Sequence, residues 1–142
     1  MSRWPYVFFA AAATYILIGV TWGIYMAISH DFATAPGHAH LNLIGWVSLA
    51  IMGGYYALLG QKTPVWLITT NFALSNIGVV AMVLALGLGL SQTIPMDRLH
   101  PLFAIGAFAT LGGFISFAAA IGRGLRLASS SFSIRRSQPA AA

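Results

Sequence analysis

Four long apolar runs separated by short polar links leave this chain few ways to fold. The runs are Pro5 to Ile28, His38 to Gly60, Val65 to Leu90 and Pro101 to Gly122. Each reaches or exceeds the ~20 residues needed to cross ~30 Å of hydrocarbon as a helix. With 58% hydrophobic and only 6% charged residues, a small soluble domain would lack the polar surface to cover itself. The sequence therefore predicts an all-α integral membrane protein, a four-helix bundle over residues 1–127. A basic, Ser- and Pro-rich cytoplasmic tail, expected to lie on the surface or be disordered, follows over 128–142.

The breaks between runs carry turn chemistry. Ser29 to Gly37 contains Asp31, Pro36 and Gly37, Gln61 to Pro64 is a tight polar link, and Ser91 to His100 holds Pro95, Asp97 and Arg98. Arg3, Lys62, Arg123, Arg126, Arg135 and Arg136 fall on one side of a four-helix arrangement and only Arg98 on the other. By the positive-inside rule both termini are expected in the cytoplasm, with the chain multi-pass in a bacterial inner (plasma) membrane. The first run is too long for the apolar core of a signal peptide, and a proline follows the candidate cleavage site Ala33-Thr34-Ala35, so it is read as the first span. The formal charge of +5 is a topology signal: the cations lie between apolar runs and at the C-terminus instead of along one face, so nucleic acid is not an expected partner.

In this orientation His30, Asp31, His38, His40, Asp97, Arg98 and His100 share the outer side, which collects every histidine and both acidic residues. The chain has no cysteine, which excludes disulfides, thiolate metal sites, iron–sulfur clusters and covalently attached haem, and leaves His, Met, carboxylate or carbonyl oxygen as ligands. His38 and His40 open the second run, and a separation of two residues turns them ~200° apart on a helix of 3.6 residues per turn. They point to opposite faces, an arrangement poorly suited to one metal ion and better suited to a helix wedged between two sites or two subunits. The face of His38 continues to Asn42 and Gly45, and that of His40 to Ile44 and Val47. Histidines near a span are functional-site candidates; the bland alternative is that both reach water and headgroups. His30 sits beside Asp31 in a loop, and His100 opens the fourth run at about the depth of the other pair, a position from which it would complete a two-imidazole site within one chain.

Gly19 and Gly23 form a GxxxG in the first run, Gly53 and Gly54 lie in the second, and Gly106, Thr110, Gly112 and Gly113 line the fourth. Close helix packing is the common use of such residues, and close approach of a flat cofactor the rarer one. Asn71, Ser75 and Asn76 offer interhelical hydrogen bonds, and Trp4, Trp22, Trp46 and Trp66 lie mostly near span ends, as in an interfacial belt. No charged residue falls in the middle of any run, as ion-coupled transport usually requires, and there is neither a nucleophile with a nearby base nor a Gly-rich phosphate loop.

The second run, His38-Ala39-His40 followed by Gly45 and Ala50-Ile51-Met52-Gly53-Gly54, resembles the tenth helix of the catalytic subunit of haem-copper oxidases. That subunit is built from three four-helix units about a pseudo-threefold axis, and this chain looks like one unit. The resemblance implies that His38 and His40 are axial ligands of non-covalent b haem, with His40 the better match to the low-spin position. A weaker parallel in Pro95-Met96-Asp97-Arg98 implies Arg98 as a haem-propionate partner. It also implies a homotrimer that rebuilds the ring by symmetry, and electron transfer with a soluble periplasmic donor or quinol. The adjacent His-His pair that helps hold the family's copper has no counterpart in the third run, so oxygen reduction by a single chain is not expected. Two other readings stay open: copper held by His38, His100 and Met96 or His30 in a binding or trafficking protein, and a cofactor-free assembly or accessory subunit.

Overall fold

In a computed structural model, residues 3–60 and 62–137 are described. Gln61 and Pro139, and the side chains of Arg135 and Arg136, lie outside the described residues. The chain forms four long helices: α1 (Trp4–Ser29), α2 (Ala35–Leu58), α3 (Val65–Leu90) and α4 (His100–Ser137). All four are long and apolar enough to cross a membrane. Pro5 lies in the first turn of α1 and Pro36 in that of α2, where the missing N–H has no intrahelical partner to lose. His30 ends α1 in the left-handed region (φ 55°), and the Asp31 carboxylate accepts the Ala33 N–H at 2.9 Å. A short 3-10 turn, Met96–Leu99, leads into α4.

Two boundaries differ from the sequence expectation. Helix α2 begins at Ala35, so His38 and His40 lie within its first two turns and do not open it. Helix α4 continues to Ser137, well past Gly122 and through much of the expected tail, because no proline interrupts it before Pro139. Its 38 residues span about 57 Å at 1.5 Å per residue, far more than ~30 Å of hydrocarbon.

The helices alternate in direction. Helix α2 packs along α1 and, through its first half, on α3; α4 packs chiefly on α3. The α3–α4 seam is a backbone contact: a Cβ added at Gly106 would lie 2.8 Å from the Met82 nitrogen. Such closeness brings van der Waals attraction that lipid cannot supply. At the end carrying Lys62, a hydrophobic core cluster gathers Phe8, Leu49, Met52, Tyr56, Leu67 and Ile68, among others, from α1 to α3, with Ala120 from α4. Within it, Phe8 sets its ring edge-on to Phe72 at 5.0 Å.

Beside that cluster lies Asn71, fully buried. Its Oδ1 accepts from Tyr56 Oη of α2 at 3.2 Å, and its Nδ2 donates to the Gly113 carbonyl of α4 at 2.8 Å. One side chain therefore joins three helices. Replacing Asn71 with Ala removes both bonds, taking from the phenol its acceptor and from the Gly113 carbonyl, already bonded within its helix, its interhelical donor. Reversible unfolding in mixed micelles should show a loss of about 1–2 kcal/mol, with a smaller loss for Tyr56→Phe; wild-type stability in both variants would deny the node its role.

Candidate functional site

The up-and-down path carries all four histidines and both aspartates to one end of the bundle. A Cβ at Gly37 in α2 would meet Trp22 of α1 and the Gly87 nitrogen of α3, so three helices touch there. Trp22 Nε1 also donates to Thr34 Oγ1 at 3.1 Å, pinning the α1–α2 loop.

His38 and His40 diverge as the 200° rotation requires. His38 turns toward α1, where its Cε1 would lie 3.0 Å from a Cβ at Gly23 and the Trp22 ring stands edge-on at 6.5 Å between centroids. Asn42 Nδ2 donates to His38 Nε2 at 3.0 Å, and Asn42 Oδ1 fills the space that Gly19 leaves open. The GxxxG of α1 is thus a cradle for two polar side chains of α2, one glycine under each. Within it His38 Nδ1 and Asn42 Oδ1 are buried with no hydrogen-bond partner among the described residues, and such orphaned groups are costly.

His40 is held differently. Its Nδ1–H donates to the Pro36 carbonyl at 2.8 Å. A carbonyl only accepts, so this bond fixes the tautomer and leaves Nε2 with its lone pair free. Metal-binding imidazoles are usually oriented by such a bond on the other ring nitrogen.

Directly after the pair, Leu41–Ser48 winds as a π-helix, a rare form that recurs at functional sites. Ser48 Oγ donates to the Leu43 carbonyl five residues back at 2.8 Å, and Gly45 lies against the ring of Tyr15, whose hydroxyl donates to Asn76 Oδ1 of α3 at 2.8 Å. The wide segment was not expected from the sequence: its only outward mark is the run of polar and small residues Asn42, Gly45 and Ser48, which reads equally well as helix packing.

The remaining predicted site residues are looser. Arg98 and His100 are exposed, on the 3-10 turn and at the start of α4. That start packs with α3 and the turn, not substantially with the histidine-bearing part of α2. Met96 places its sulfur over Gly89, and His30 serves as the left-handed residue ending α1. Among the described residues no three His, Asp or Glu side chains converge as a metal site.

If the cradle is specific, a Gly19→Val variant should lose about 1–3 kcal/mol of stability through overpacking against Asn42. Asn42→Ala in the same chain should restore part of that loss in a double-mutant cycle. Strictly additive losses would remove the pairing. No protein family, curated protein or solved structure matches this chain.

Proposed function

We propose that this chain is a membrane b-type haem-binding protein of the haem-copper oxidase superfamily, working in electron transfer at the outer face with both termini in the cytoplasm. The observation that carries the reading is His40. Its Nδ1 is tied to a carbonyl of its own helix, which leaves Nε2 as the lone-pair nitrogen with no bond to it among the described residues, on the helix face that His38 does not use. The His38-Ala39-His40 motif with its downstream Gly45 and Gly53-Gly54 supports the same reading.

In this proposal His40 Nε2 would hold the haem iron, and a second copy in a closed trimer would supply a further imidazole. His38, enclosed by Gly23, Trp22 and Asn42 of its own chain, orders the start of α2 and so the direction of His40. Arg98 is exposed and free to pair with a propionate, for which a guanidinium fork is well shaped. Bound haem would supply reversible one-electron exchange, with a periplasmic protein or quinol as donor. The side chains around it supply ligand, charge partner and exclusion of water, which together set the potential.

A second reading, copper held at the same end with His38 as a ligand, rests on His38 Nδ1, which has no partner among the described residues and would offer a lone pair to the metal with Asn42 turned so that its amide oxygen accepts from Nε2–H. Oxidised and dithionite-reduced spectra of the detergent-purified chain, with a pyridine haemochrome assay and metal analysis, separate the readings. Haem protein should show sharp reduced bands that His40→Ala abolishes and His38→Ala weakens. Stoichiometric copper without haem would replace haem by the second reading, and colourless, metal-free protein would make the chain an accessory subunit.

A further inference from the structure

At the end opposite the histidines, the α2–α3 link meets the far part of α4 around a cavity of about 320 Å³. Leu58, Leu59, Lys62 and Thr63 line one wall, and Arg123 and Leu127 are among the residues of the other. This volume lies within the roughly 300–1,000 Å³ usual for small-ligand sites. The wall is fixed by Tyr55, whose hydroxyl donates to the Ala120 carbonyl of α4 at 3.0 Å.

Two cations, Lys62 and Arg123, line this one cavity, and among the described residues no side-chain carboxylate lies at this end to neutralise them. The chain has only two acidic residues, Asp31 and Asp97, and both belong to the other end of the bundle. An anion between the cations would relieve their repulsion and gain charge-assisted hydrogen bonds. Beside them Leu58 and Leu59 are 78% and 73% exposed, so the cavity offers a cationic head and an apolar flank together. It lies where α2 ends and α3 begins, the depth at which a bilayer passes from acyl chain to phosphate. Basic pockets between spans at this level suit anionic headgroups.

We propose that this cavity binds an anionic phospholipid, its phosphate between Lys62 and Arg123 and its acyl chains along Leu58 and Leu59. The site depends on the chain lying in a membrane and not on any haem or metal at the other end.

The test is native mass spectrometry of the full chain released from detergent with phosphatidylglycerol or with phosphatidylcholine of identical acyl chains. The unmodified protein should retain the glycerol lipid about tenfold more than the choline lipid, a ratio worth one decade of affinity. Lys62→Gln/Arg123→Gln should erase that preference, while Lys62→Arg/Arg123→Lys and Arg126→Gln, which lies outside the cavity wall, should keep it. Equal retention of the two lipids by the unmodified chain, or an undiminished preference in the double Gln variant, overturns the proposal. Saturable binding of inorganic phosphate without a lipid preference overturns it in favour of a soluble anion. Should the Gln variant aggregate, the unmodified chain decides: raising salt from ~0.05 to ~0.5 M, which shortens the screening length several-fold, must release the glycerol lipid selectively, and retention at high salt counts against the site.

Discussion

The hydrogen bonds of Asn71 hold together what apolar contact alone does not specify. In lipid, apolar helices gain little by burying themselves against each other, since acyl chains are equally apolar, and association falls to close packing and to polar groups that have no water to turn to. Asn71 meets both conditions. Its two bonds reach the last turn of α2 and the backbone of α4, and the second is possible because Gly113 brings α4 up to Ser75. Small residues and the amide are therefore one device, in which the first permits the distance that the second requires.

The two ends of the bundle are built on different terms. Toward the basic end, aromatic and aliphatic side chains from all four helices interlock around Phe8 and Tyr56. Toward the histidine end, close contacts run through glycines and polar side chains, and some buried polar atoms stay without partners. Rigidity at one end and unmet hydrogen-bonding capacity at the other is a pattern in which the first supports the second. Strain or unsatisfied groups persist where the surrounding structure over-determines them.

Much of this was legible in the sequence. Helix count and the span Val65–Leu90 followed from apolar run length, and the opposed directions of His38 and His40 followed from helical rotation. The continuation of the His38 face to Asn42 and Gly45 also emerged as contact with α1. Other features escaped for physical reasons. The far end of α4 carries arginines and serines that read as solvated tail, yet nothing in it breaks a helix before Pro139. The purpose of Gly19 and Gly23 was ambiguous because a glycine pair accepts a neighbouring backbone or a neighbouring side chain equally well; the partner residues on α2 decide which. The π turn left no signature beyond Asn42, Gly45 and Ser48, which helix packing explains equally well, since it differs from an α turn by one residue of winding and not by residue type.

That one residue of winding has a consequence for how the histidines are aimed. Between them and the core residues Leu49, Met52 and Tyr56 lies the whole π segment, Leu41–Ser48. An α-helix advances about 100° per residue and a π turn takes in about one residue more, so rewinding the segment as α-helix at its present length would swing His38 and His40 by roughly that angle or more, whereas losing one residue as it rewinds would leave them nearly in place. The segment works as a phase adjuster: its wider turns absorb a residue that α winding would convert into rotation, so the direction of the imidazoles relative to the anchored half of α2 is set by winding as well as by residue count.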